Sequence, residues 1–202
     1  MKKERIDQDK ATWGPGTLLY PLPAVLVTCG EYRGGGATEK CNVLTLSWVG
    51  TICTDPAMVS ISVRPSRHSY PMIKKSGEFV INLTTKDMVF ATDYCGIKSG
   101  SEMDKFKRMN LTALKADKVK APLIKESPVN IECKVTEVKK LGTHDLFIAK
   151  VLCIHADRKY INKFGAFELN EADPICYSHG QYYALGKRLG KFGYSVKRSK
   201  SK

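Results

Sequence analysis

Asn42-Val43-Leu44-Thr45-Leu46-Ser47-Trp48, followed beyond Asp55-Pro56 by Met58-Val59-Ser60-Ile61-Ser62-Val63, decides the fold class. In the first segment Leu44, Leu46 and Trp48 alternate with Val43, Thr45 and Ser47, a period of two that specifies a strand. The side carrying Leu44, Leu46 and Trp48 is expected to meet core, and the other side to offer hydroxyls. Upstream, Pro23-Ala24-Val25-Leu26-Val27-Thr28-Cys29 is an apolar run suited to a strand buried on both faces. Downstream, 79–83, 129–138 and 145–156 read as further strands, the last two joined by Leu141-Gly142-Thr143-His144. Helical spacing over Ser66 to Ser76, stopped by Gly77, predicts a short helix, and Thr84-Thr85-Lys86-Asp87 caps another running to about Cys95. Repeated short strands with little helix predict a mainly β fold, a β-barrel with a few short appended helices.

A chain of 202 residues with 43% hydrophobic content fits one compact unit. Residues 1–20 read as a leader, 21–196 as a single domain and 197–202 as a basic disordered tail. No segment approaches the roughly 20 apolar residues of a membrane span, and no secretory signal is visible, so a cytoplasmic protein without membrane contact is expected. The net charge of +13 raises a nucleic-acid reading. Four of those charges lie in the tail, and the other lysines are scattered without aromatic interleaving or a recognisable nucleic-acid motif. A solvated surface is expected, with a field that favours an anionic nucleotide. The seven cysteines are odd in number and include no C-x-x-C pair, so they read as reduced thiols in apolar runs, not as disulfides or metal ligands.

Two segments carry chemistry. Thr45 to Pro56 sets threonines, a serine and Gly50 at a strand end, where backbone and hydroxyls could approach a flat ligand. Ser/Thr/Gly-rich strand ends are common, so this pattern alone identifies nothing. Ser62-Val63-Arg64-Pro65-Ser66-Arg67-His68-Ser69 carries two arginines, a histidine and serines into the start of a helix. Free amides, a positive helix end and bidentate guanidinium groups together describe a phosphate site. A capped helix with solvated arginines accounts for the same residues.

The order of segments adds a resemblance. Asn42 through Leu83, then Ala91-Thr92-Asp93-Tyr94-Cys95-Gly96, Ser99-Gly100 with Asp104-Lys105-Phe106, Ala121-Pro122-Leu123-Ile124, Gly142-Thr143-His144-Asp145 and 177–186 resemble the flavin reductase-like family, within it the flavoredoxin branch. The resemblance implies a split β-barrel of Greek-key type that dimerises and holds FMN near the subunit interface. By position, it implies that Asn42, Thr45, Ser47, Trp48 and Thr51 contact ring and ribityl, and that Ser62, Arg64, Ser66, Arg67, His68 and Ser69 hold the phosphate. It puts His144 beside the flavin face where a nicotinamide docks, in a positioning role. The family often has Gly-Asp-His there, and Thr143 departs from it. Asn82 reaches the cofactor or satisfies a strand end, and Trp48 stacks on the flavin or fills core. Asp104 and Lys105 read as a structural ion pair, Cys53 as core, and His179 and Tyr182 as bordering the site or packing. The implied activity moves electrons from NADH or NADPH through bound FMN to free flavin, a metal complex or a redox protein. The alternative is a flavoredoxin-type electron carrier reduced by a protein partner.

Overall fold

The computed structural model describes residues 9–196; the basic segment 197–202 and the first eight residues of the expected leader lie outside them. Twelve strands occur among the described residues: β1 (Leu22–Pro23), β2 (Val25–Gly30), β3 (Cys41–Leu46), β4 (Val49–Thr54), β5 (Ala57–Val63), β6 (Glu78–Leu83), β7 (Ala113–Leu114), β8 (Leu123–Ile124), β9 (Val129–Lys140), β10 (Asp145–Ala156), β11 (Ile175–Ser178) and β12 (Gln181–Ala184). Three α-helices accompany them: α1 (Ser69–Ser76), α2 (Val89–Ile97) and α3 (Lys105–Arg108).

Seven strands form one antiparallel sheet in the order β3-β2-β6-β9-β10-β5-β4. Consecutive strands β3 and β4 therefore lie on opposite edges, although only Ser47 and Trp48 separate them. Two residues span at most about 7 Å of extended chain, far less than a flat seven-stranded sheet at about 4.8 Å per strand. The sheet must roll until its edges approach; Ser62 N–H donates to the Trp48 carbonyl at 2.9 Å, extending the β4–β5 ladder into the link. The result is a split barrel. This connection also corrects the reading of Asn42 to Trp48 as one strand with Thr45 to Pro56 at its end: β3 stops at Leu46 and β4 is a separate, largely exposed edge strand.

Burial follows the rolled geometry. Val25, Val27, Leu44, Leu46, Ile61, Val63, Phe79, Ile81 and Phe147 fill the interior, with Tyr70 and Ile73 of α1 joined to them. On the outer surface Leu26 and Val43 meet Met88, Ala91 and Cys95 of the α2 region and Phe106 of α3. Strand β2 is thus buried on both faces, as its unbroken apolar run predicts. Trp48 is the exception to the alternation: the chain turns before it, and its ring is 45% exposed. Cys53 sits half-buried on edge strand β4. Among the described residues all seven cysteines are free thiols; burial pushes the Cys29 and Cys95 thiols up to about 11 and those of Cys41 and Cys133 to about 12.

Helix α1 begins three residues later than its spacing predicts, after a turn in which Tyr70 N–H donates to the Arg67 carbonyl. It ends at Gly77, whose φ of 67° is left-handed and whose N–H caps the Ile73 carbonyl at 2.8 Å. The C-terminal hairpin β11–β12, which the sequence reading left without strands, pairs with β1 as a small second sheet. No helix is long and apolar enough to cross a membrane among the described residues.

Candidate functional site

The barrel seam opens onto a trough with two connected compartments. One, of about 370 Å³, is lined by Asn42, Thr45, Arg64, Ser66, Arg67, His68, Ser69, Cys95, Gly96, Lys98, Gly100 and Lys105, among others. The second, of about 380 Å³, is lined by Thr45, Ser47, Trp48, Ser62, Arg64, Arg67, Asp93, Ile97, His144, Tyr177 and Tyr182, among others. Thr45, Arg64, Arg67 and Gly96 face both, so the compartments share a wall.

The first compartment gathers cationic side chains and hydroxyls around a helix start. Ser66, Arg67 and His68 precede α1, whose first turn carries no acidic residue and whose His68 N-cap makes no side-chain capping bond. Tyr70 N–H is used on the Arg67 carbonyl and Pro71 has none, so Ser69 N–H is the first-turn amide left at the positive end of the helix. Arg67 Nη1 donates to the Gly96 carbonyl at 3.1 Å, anchoring the guanidinium along the trough. Asn42 is buried on the floor, donating from Nδ2 to Ser69 Oγ at 2.7 Å. Gly100 lies against it so closely that a Cβ there would fall 2.1 Å from Asn42 Oδ1.

Lys105 completes this end, and the expected Asp104–Lys105 ion pair does not form. The helical turn directs Lys105 inward, where its buried Nζ donates to the carbonyls of Val43 (2.9 Å) and Cys95 (2.8 Å). An ammonium has three donors, so one remains for a ligand in the compartment. Burial lowers the Lys105 pKa, with Arg67 adding to that and Cys95 opposing it. Asp104 instead accepts from Thr38 Oγ1 at 2.6 Å and faces Lys107 Nζ at 3.6 Å.

The second compartment has aromatic walls. The rings of Trp48 and His144 lie 5.5 Å apart, tilted by 45°. His144 Nε2 accepts from Arg64 Nε at 3.3 Å, and Nδ1 is 3.0 Å from Thr143 Oγ1. An imidazole that accepts at Nε2 carries its proton on Nδ1 and donates it to the threonine. Thr143 thereby orients the ring. Burial, then Arg64 and Arg67, lowers the His144 pKa from 6.5, keeping the ring neutral at pH 7. Tyr182, which also lines this compartment, donates from Oη to Asp93 Oδ1 at 3.4 Å. Burial and Asp93 push that phenol up to about 12.

Of the residues given a cofactor or catalytic role from the sequence, eleven line the trough: Asn42, Thr45, Ser47, Trp48, Ser62, Arg64, Ser66, Arg67, His68, Ser69 and His144; Tyr182, expected to border the site or pack, lines it too. Asn42 lines the first compartment and Ser62 the second. Thr45 lines both compartments while its hydroxyl donates to the Thr92 carbonyl. Thr51 is absent from the trough because it sits on exposed β4, beyond the turn that separates β3 from β4. Asn82 is also outside it. Its buried amide donates to the Leu26 carbonyl and accepts from Ile124 N–H and Asn130 Nδ2, so it ties β2, β6, β8 and β9 together.

Sequence reasoning missed Lys105 as a site residue, along with Gly96, Lys98 and Asp93. Their signal lay in the spacing of Ser99-Gly100 and Asp104-Lys105-Phe106 behind an apolar helix. His179, in the hairpin turn (φ 49°), packs its ring 4.9 Å from that of Tyr20, and the hairpin brings Tyr177, Gly180 and Tyr182 to the second compartment.

A rolled antiparallel sheet with a cationic compartment at a helix start and an aromatic compartment beside it defines a split barrel. The chain belongs to the family described as flavin reductase like domain, which matches residues 17–186. It is 30% identical to the flavoredoxin of Desulfovibrio vulgaris (Miyazaki F), with a TM-score of 0.82, covering 93% of this chain and 100% of that one. A flavoredoxin from Methanosarcina acetivorans is 27% identical with a TM-score of 0.79, over 93% and 99% of the two chains. An uncharacterised protein of Pyrococcus abyssi is 38% identical over 151 residues, 75% of this chain and 80% of that one. Family and fold together support a flavin-related redox function.

Proposed function

We propose that the trough holds FMN, its phosphate in the compartment of Arg64, Arg67 and Lys105 and its ring in the compartment of Trp48 and His144, and that the protein is an NAD(P)H-dependent oxidoreductase. The observation that carries this reading is the continuity of an anion site and an aromatic compartment through one shared wall. The donor set fits the group: three cationic side chains with the hydroxyls of Ser66 and Ser69 suit a phosphate dianion, while backbone, hydroxyls and rings suit an uncharged heterocycle. When bound, the flavin accepts a hydride and releases electrons onward.

The residues supply binding and orientation. Arg64 bridges the two ends, reaching the anion compartment while donating to His144. His144 stays neutral, so it adds no cationic charge where a positively charged nicotinamide product would leave. Trp48, His144, Tyr182 and Asp93 line the ring compartment. The remaining opening over the ring admits NADH or NADPH. We further infer a homodimer: Ile52, Leu141, Leu152 and Ile154 are exposed apolar side chains on or beside β4, β9 and β10, and pairing would cover them. A cytoplasmic setting is consistent with the reduced thiols.

Purified protein should be yellow, with FMN released on denaturation. Anaerobic addition of NADH or NADPH should bleach the flavin, and chromatography should give a dimer mass. A second reading, flavoredoxin-type electron transfer from a protein partner, is favoured by the exposed Ile97 at the end of α2, which lines the ring compartment. Full flavin occupancy with no bleaching by either nucleotide would select it and reject nicotinamide dependence. The electron acceptor in the first reading is free flavin, a metal complex or a redox protein, distinguishable by which one reoxidises the bleached protein.

A further inference from the structure

Away from the trough, four side chains of metal-ligating chemistry converge: Asp117, Glu132, Cys153 and His155, with one ligand atom of each lying within 4.8 Å of all the others. They come from a loop and from paired strands. A register shift between Val151 and Cys153 sets Cys153 opposite Glu132 in the β9–β10 ladder. Cys153 and His155, two residues apart, then project from the same face. His155 stands at the opposite end of β10 from His144, so this cluster does not belong to the trough.

We propose that Asp117, Glu132, Cys153 and His155 bind a structural divalent transition-metal ion of the zinc class, clipping the 117–119 loop to the β9–β10 ladder. Thiolate, imidazole and carboxylate together suit Zn²⁺. Tetrahedral zinc with Zn–S near 2.3 Å and Zn–N near 2.0–2.1 Å places sulfur and nitrogen ligands about 3.6 Å apart. Cys153 Sγ and His155 Nε2 are separated by 3.6 Å. His155 Nε2 lies 2.6 Å from Glu132 Oε1 and 4.0 Å from Asp117 Oδ2, values on either side of the tetrahedral edge. Half-exposed His155 and exposed Asp117 can adjust by well under 1 Å each way.

Glu132 is held rigid for this role. Its carboxylate is buried and accepts from the amides of Asp117, Lys118 and Val119 at 2.6–3.0 Å. These use three of its four lone-pair positions, and the fourth, on Oε1, now meets His155. A metal would take that position, with His155 moving its proton to Nδ1 and Cys153 releasing its thiol proton to solvent. The three amide bonds remain, fixing the ligand from behind.

The test uses the whole flavin-loaded chain, treated with EDTA and desalted. Titration with Zn²⁺ should give one equivalent bound per chain and a raised melting temperature. Co²⁺ should give tetrahedral ligand-field bands at wavelengths longer than the flavin absorbs, with thiolate charge-transfer intensity. Cys153→Ser and His155→Gln should each weaken Zn²⁺ at least about 10-fold while retaining flavin and a cooperative melt. Cys53→Ser, in another partly exposed thiol, should leave binding unchanged. Absence of stoichiometric binding, or binding that survives both cluster substitutions, would overturn the proposal and leave the group as a hydrogen-bonded latch.

Discussion

Arg64 donates from Nε to Nε2 of His144 across 3.3 Å, joining the anion end of the trough to its aromatic end through a single guanidinium. The strand ladder makes this possible: Val63, just before Arg64, is paired with Asp145, just after His144. Both residues step off the same rung at the sheet's end. Their 80-residue separation in sequence disappears there.

A titration follows from that contact. Burial first, then Arg64 and Arg67, depress the His144 pKa below 6.5. Arg64→Ala should move the imidazole resonance titration upward, toward 6.5, as followed by NMR. The sign for stability is set by the unfolded chain, which takes up this proton near pH 6.5 while the folded chain does not. The stabilisation from a neutral His144 is complete above about pH 6.5 and declines as pH falls toward the depressed value. An unshifted titration in the variant would remove Arg64 from the account.

The anion end should respond to charge removal. Arg64→Ala and Arg67→Ala should each weaken FMN retention by about 10-fold or more, since a hydrogen bond to a charged group is worth about 1.5–3 kcal/mol. Equilibrium dialysis against FMN and riboflavin separates the causes. Loss of affinity for FMN with riboflavin unaffected marks the phosphate; equal loss for both would reject the assignment.

Gly100 is a steric test of the same floor. A methyl group there would lie 2.1 Å from Asn42 Oδ1 and 2.5 Å from its Cγ. Asn42 is buried and bonded to Ser69, so it cannot swing aside freely. Gly100→Ala should lower stability by about 1–3 kcal/mol and reduce FMN content at purification. A variant with wild-type melting and wild-type FMN content would show that the floor yields.

Tyr70 and Asp145 form a tie between α1 and β10, with Tyr70 Oη donating to Asp145 Oδ2. Tyr70→Phe should cost about 1.5–3 kcal/mol in urea unfolding, because a buried carboxyl loses a donor. Its effect on FMN affinity should be smaller than that of Arg67→Ala, as Tyr70 lines neither compartment.

Asn82 provides the contrast between a site and a scaffold. Asn82→Ala would strip partners from the Leu26 carbonyl, Ile124 N–H and Asn130 Nδ2, all in buried residues. At about 1–3 kcal/mol for each unsatisfied group, a loss of about 3 kcal/mol or more is expected. Protein that still folds at low temperature should bind FMN normally. A selective loss of FMN with unchanged stability would return Asn82 to the site.

The sequence by itself determined most strands of the large sheet, the end of helix α1 and the cationic chemistry of the turn before it. Period-two alternation fixes which residues of a strand share a face, and Arg-Pro-Ser-Arg-His-Ser before a helix is local chemistry that survives any packing. Gly77 likewise announces its own left-handed cap. What local pattern could not decide is where each strand goes. The same alternation that puts Leu44 and Leu46 inside assigns Trp48 there too, yet a two-residue link to the opposite edge of the sheet turns Trp48 out against His144. Asn82 and Thr51 carry side chains suited to a ligand, and only tertiary burial on one hand and edge exposure on the other removed them. Lys105 reads from its neighbour as half of a surface pair, and the packing of α3 against β3 made it a buried donor. Residue type limits what a side chain can do, and the closure of the barrel decides what it meets.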